Sequence, residues 1–119
     1  MRSRNERMYL NDMLTRCQRL LRQTSSISTL DEFIDNETIY DAALRNLQIV
    51  GEAARNVSEG TRALMPDVPW RAIIGLRNII AHGYFAIDDT IVWEIVQHRI
   101  PALEQELTTF LATHNEDGW

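Results

Sequence analysis

Apolar residues return every three to four positions along almost the whole chain, and no segment alternates in the two-residue period of a half-buried strand. Met13, Leu14, Cys17, Leu20 and Leu21 make one stripe, which predicts a helix over residues 5–23. The hydroxyl-rich "TSSIST" that follows competes for backbone hydrogen bonds and ends that helix. Thr29 is then placed to cap a short helix, "LDEFIDN". From Glu37 to Val57, Ile39, Ala43, Leu47, Val50, Ala54 and Val57 step by three and four, the inward stripe of a longer helix. "SEGTRALMPDVP" has Gly60, Pro66 and Pro69 and reads as a loop, with Pro69 opening a helix from Trp70 to about His82 that Gly83 can end. Asp88 or Asp89 caps a last helix carrying Val92, Ile95, Val96, Leu103, Leu107 and Phe110, which Pro101 must kink or divide because it removes a backbone donor.

These elements predict an all-α protein: an up-and-down bundle of four main helices plus a short extra one. With 119 residues and 45% apolar content there is material for one compact core. We therefore expect a single domain over residues 1–119, with residues 112–119 as a frayed tail. No apolar run is long enough to span a bilayer, and no long apolar stretch follows the charged start "MRSRNERMYL" to make a secretory signal. Cys17 stands alone, so no disulfide can form within the chain and a reducing cytoplasm is the expected location.

Charge changes the picture through its distribution. The net charge is −5, which argues against a nucleic-acid partner. Yet residues 1–22 hold Arg2, Arg4, Arg7, Arg16, Arg19 and Arg22 against only Glu6 and Asp12. All twelve basic residues are arginine, the side chain suited to bidentate phosphate contacts, although genome composition produces the same bias. A local basic patch leaves RNA binding open, with weak long-range steering.

The candidate chemistry lies in "GLRNIIAHGYF", Gly75 to Phe85. With Arg77 at zero on a helical wheel of about 100° per residue, Ala72, Ile73, Leu76, Ile79 and Ile80 fall on one side, the expected buried stripe. Arg71, Gly75, Asn78 and His82 share the opposite ridge, flanked by Arg77. Gly75 costs roughly 1 kcal/mol relative to alanine in mid-helix, and close approach of a backbone or ligand would compensate. Singly, each residue has a structural explanation: His82 as a helix C-cap, Arg77 as an ion-pair partner for Glu52, Asn78 as a surface residue, Tyr84 as a rim packer. Arg45, Gln48, Glu52 and Arg55 form a polar stripe, read as solvated or partner-facing. His82, His98 and His114 lie sixteen residues apart without the cysteine or acidic spacing of a zinc site, so no metal site is expected.

Together, Arg77, Asn78, His82 and Tyr84 spell R-N-x-x-x-H-x-Y. This pattern resembles the HEPN superfamily of small helical ribonucleases, and within it the HepT toxins. "LQIVGEAARNVSE" (Leu47–Glu59), "VPWRAIIGLRNIIAHGYF" (Val68–Phe85) and "IDDTIVWEIVQHRIPALEQEL" (Ile87–Leu107) are similar to HepT segments in the same order, and the resemblance runs from Arg7 to Leu111. It implies a HEPN-like bundle that dimerises to bring two motifs across one cleft, and RNA cleavage without a catalytic metal or cofactor, with DNA resistant. It implies Arg77 and His82 as catalytic residues and Asn78 as a phosphate-positioning one. It also implies a partner, a minimal nucleotidyltransferase antitoxin of the MntA type, which uses ATP and Mg to transfer AMP onto Tyr84 and silence the toxin. The alternative within the superfamily is a non-catalytic module that binds substrate for a nucleotidyltransferase.

Overall fold

The chain starts most of its helices where a side chain can hold the first free amide groups. In the computed structural model, which describes residues 2–83, 87–114 and 119, α1 spans Arg2–Gln23, α2 Leu30–Asp35, α3 Glu37–Arg55, α4 Glu59–Ala63, α5 Trp70–His82, α6 Asp89–Glu94 and α7 Ile100–Thr113. Thr29 Oγ1 accepts from the Glu32 amide while the Glu32 carboxylate accepts from the Ser28 and Thr29 amides, a reciprocal capping box. Those amide bonds, the one from Ser28 first, hold the Glu32 carboxyl below its ordinary range. Asn36 caps α3 through the Ile39 amide, and Asp88 caps α6 through the Thr90 amide. Among the described residues every regular element is helical.

Helix α3 is the centre of the bundle. Its Ala43, Leu47, Val50 and Ala54 are buried, with α1 packed on one side and α5 on the other, while α7 closes against α1. Leu10, Met13, Cys17 and Leu20 of α1 meet Leu103, Leu107 and Phe110 of α7 in one hydrophobic core. Burial, with a smaller contribution from the Glu104 carboxylate, pushes the Cys17 thiol up to about 12, so this cysteine is a core residue and no nucleophile. Helix α2 lays Phe33 between Tyr40 and Trp93, at ring-centroid distances of 5.1 and 5.0 Å. The Tyr40 hydroxyl donates to Asp89, fixing the start of α6 to α3.

One local expectation changes. The stretch read as a loop contains α4, because Ser58 accepts from the Thr61 amide and the buried Glu6 carboxylate receives the Ser58 amide at 2.7 Å. The last helix is divided just before Pro101, as its missing backbone donor leads one to expect, and Pro101 falls in the first turn of α7. A wide π turn over Ile95–Arg99 joins α6 to α7, with the Ile100 amide reaching back five residues to the Ile95 carbonyl. That wide turn gives the proline ring the room an ordinary helical turn denies it. Trp119 donates from Nε1 to Thr61 Oγ1 at 3.4 Å, packs its ring edge-on to Phe110 at 5.4 Å and lies under the Arg7 guanidinium at 4.8 Å. Helix α7 runs to Thr113, and residues 115–118 of the expected tail lie outside the described residues.

Candidate active site

Helix α5 carries the motif, and its position follows from what holds each end. Its first turn is fixed by Trp70, whose indole Nε1 donates to the Met65 carbonyl at 3.2 Å and whose ring is buried. Its last turn ends at Gly83, where the amide donates to the Ile79 carbonyl in an extended conformation open to any residue. Between these points its main packing partner is α3. A cavity of about 160 Å³, lined by Ile73, Leu76, Ile95 and Leu103, separates α5 from the start of α7.

The helix is rotated from the predicted orientation. Ile73 and Arg77 lie against α3 at Gly51 and Trp70 and Ile80 are buried, while Ala72 and Ile79, expected in the buried stripe, are exposed, Ile79 to 46%. The wheel places aliphatic residues on one side by average hydrophobicity, and it cannot foresee that an arginine begins its course on the packed side. Arg77 does so because Gly51 of α3 lies beneath it. A Cβ on Gly51 would stand 2.3 Å from Arg77 Cβ and 3.0 Å from the Ile73 carbonyl oxygen. The close approach anticipated at Gly75 therefore occurs at Gly51, and a Cβ on Gly75 would meet nothing within 4 Å. Alanine at position 75 fills open space and removes the glycine's helix penalty. Gly75→Ala is expected to raise monomer stability by about 0.5–1 kcal/mol, measured by urea unfolding.

From its buried stem the Arg77 side chain turns along α3 and meets Glu52. One carboxylate oxygen, Oε2, accepts from Nε at 2.7 Å and from the NH2 nitrogen at 2.6 Å. The NH1 nitrogen donates to the side-chain oxygen of Asn78 at 3.0 Å. The pairing of Arg77 with Glu52, one of the explanations open in the sequence, is thus present, together with a bond to the motif asparagine. Asn78 must present its oxygen to the arginine, so its NH2 group is left to donate outward. Arg55 approaches the other Glu52 oxygen at 3.8 Å, so a single carboxylate faces two guanidinium groups.

His82 is exposed on the last turn of α5, on the same outward ridge as Asn78. Arg77, Asn78 and His82 therefore occupy one end of one helix, Arg77 reaching the ridge through its contact with Asn78. Tyr84 lies outside the described residues. Among the described residues no three His, Cys, Asp or Glu side chains gather to hold a metal ion. None of the described helices is long and apolar enough to cross a membrane.

The model of the family described as "Ribonuclease HepT-like" matches residues 13–110, most of the chain. The chain belongs to the HepT-like ribonuclease family. Among its relatives, "Putative RNase MJ1380" of Methanocaldococcus jannaschii is 37% identical over 107 residues, covering 90% of this chain and 97% of the relative. "Putative RNase TTE0752" of Caldanaerobacter subterraneus is 33% identical, covering 88% and 93%. "Probable ribonuclease HepT" of Thermococcus cleftensis is 32% identical, covering 85% and 91%. No solved structure matches significantly. The HepT-like fold is all-α here, as the periodicity predicts. What the sequence did not yield is Gly51, although a glycine inside an otherwise regular helical stripe, beside an acid, carried the signal for a close helix contact.

Proposed function

We propose that this chain is a metal-independent endoribonuclease that acts as a homodimer, the toxin of a HepT/MntA pair. The observation that carries the proposal is the outward ridge of α5: Asn78 and His82 exposed side by side, with the Arg77 guanidinium held against Asn78. Cleavage of RNA without a metal uses the ribose 2′-OH as nucleophile on the adjacent phosphorus. One His82 takes the proton from that hydroxyl, and the His82 of the partner subunit gives a proton to the departing 5′-oxygen. Arg77 and the outward NH2 of Asn78 bind the phosphate oxygens as charge builds on them. The products are a 2′,3′-cyclic phosphate and a 5′-hydroxyl.

Two copies are needed for two histidines, and the uncovered side of α5 supports a twofold contact. Ala72 and Ile79 are exposed there, and Gly75 leaves a notch that lets another helix come close. A large side chain in that notch is harmless within one copy and obstructs a second. Gly75→Leu is expected to raise the dimer dissociation constant at least about tenfold, measured by sedimentation velocity.

The regulation that the HepT resemblance implies acts at Tyr84, which follows His82 by two residues in the sequence. AMP transferred to its hydroxyl by a minimal nucleotidyltransferase, with ATP and Mg serving that partner, adds a phosphodiester charge that competes for Arg77 and a nucleoside that occupies the RNA path. Incubation with ATP and the partner is expected to add AMP mass to the parent chain and none to Tyr84→Phe; label undiminished on that variant would move the modification elsewhere. The function itself is tested by mixing the purified protein with a mixed-sequence RNA: cutting is expected, whereas RNA bound and left intact would make the chain a non-catalytic binding module.

A further inference from the structure

We infer that Glu52 is a positioning residue for the reaction, fixing the Arg77 guanidinium so that its remaining donors and the Asn78 amide face one phosphate. The inference rests on the ribonuclease proposal for its catalytic meaning and on the α3–α5 contact for its geometry. Arginine has five N–H groups in a rigid planar fork. Nε and NH2 each direct one to Glu52 Oε2, at 2.7 and 2.6 Å, and NH1 directs one to Asn78. Two N–H groups are left, one on NH1 and one on NH2, and both lie in the guanidinium plane fixed by those three bonds. A free arginine on a helix surface samples many rotamers, each with its plane turned differently. Here the stem is pinned by Gly51 and the head by Glu52, so the side chain is preorganised at both ends.

A second consequence follows from the charge. Glu52 is half exposed, and its carboxylate lies beside the place where an RNA phosphate would bind. It therefore orients Arg77 while opposing the phosphate, and the two effects separate in kinetics. Removing the carboxylate removes the repulsion and the orientation together. Replacing it by an amide removes the repulsion and keeps an oxygen to receive Nε and NH2, because both bonds converge on a single oxygen. Sequence pattern places Glu52 in a solvated or partner-facing stripe and offers it as an ion-pair partner for Arg77; the geometry of that contact gives it a role in the site.

The test compares Glu52→Ala and Glu52→Gln with the parent protein, reading kcat and KM on a short RNA and the Arg77 Nε–H signal by NMR. Glu52→Ala is expected to lower kcat at least about tenfold with KM unchanged or lower, since misplaced catalytic groups cost up to about 10²-fold. Glu52→Gln is expected to recover kcat to within about threefold of the parent with a lowered KM. The Nε–H proton should exchange slowly in the parent and in Glu52→Gln, and rapidly in Glu52→Ala. Unfolding curves should stay within about 0.5 kcal/mol of one another, as expected for an exposed residue. A Glu52→Ala protein as fast as the parent, or a Glu52→Gln protein as slow as Glu52→Ala, overturns the inference. If the parent cuts no RNA, the ribonuclease proposal falls, and the NMR signal alone decides this one: slow Nε–H exchange that depends on Glu52 supports it, and rapid exchange in the parent overturns it.

Discussion

His82→Ala is expected to lose RNA cleavage by about 10²–10⁴-fold, the usual contribution of a general acid or base. In a twofold dimer the substitution removes both the proton acceptor and the proton donor from each cleft, which places the expected loss at the upper end of that range. The fold should hardly notice. His82 is exposed on the last turn of α5, and the Gly83 amide still closes the helix on the Ile79 carbonyl. Loss of a histidine near the carboxyl end of a helix costs about 0.3–1 kcal/mol. Initial rates on labelled RNA and a circular-dichroism melt, taken on the same preparation, separate the two effects. A variant that melts with the parent and cuts as fast would remove His82 from the reaction.

The second large effect is expected at Gly51, and its sign distinguishes packing from propensity. Helix propensity alone predicts that Gly51→Ala stabilises α3 by roughly 1 kcal/mol. Packing predicts the opposite, because the new Cβ would lie 2.3 Å from Arg77 Cβ and 3.0 Å from the Ile73 carbonyl, neither of which is the flexible end of a side chain. Helix α5 must move away from α3, and overpacking of this kind costs about 1–3 kcal/mol. The displacement begins at Arg77 itself, so cleavage should fall even at temperatures where the protein is fully folded. Gly75→Ala makes the contrasting case within one copy: the same chemical change, with nothing of that copy within 4 Å, and the opposite effect on monomer stability. Urea unfolding of the two variants side by side tests the pair, and stabilisation of both would mean that α3 and α5 do not approach as closely as described.

These two glycines show how much of the site was legible in the sequence. The helices were, because a three-to-four residue apolar period is a property of the chain and survives packing: Trp70–His82 begins and ends where Pro69 and Gly83 place it. The caps at Thr29 and Asp88 were legible for the same reason, since a cap is made within four residues. The rotation of α5 was not. Which side of a helix faces its neighbour depends on where two backbones can approach, and the side chain missing from Gly51 decides that from another helix. Ile79 was accordingly assigned to the core and lies exposed, while Arg77 was put at the flank and begins on the packed side. Arg77 and Glu52 were legible as a possible pair because opposite charges on neighbouring helices suggest one. The sharing of a single oxygen and the link onward to Asn78 are facts of angle and distance, which spacing does not contain. Helix α4 was missed because Glu6, more than fifty residues away in sequence, supplies part of its start.

Proposed cleavage through the substrate's own 2′-hydroxyl is decided by product analysis of a short RNA cut in EDTA, beside the same oligonucleotide carrying a single 2′-deoxy nucleotide at the cleaved position. The RNA is expected to give a 2′,3′-cyclic phosphate and a 5′-hydroxyl, and the deoxy position to stay uncut. A cut at the deoxy position, or ends bearing a 5′-phosphate and a free 3′-hydroxyl, would contradict it.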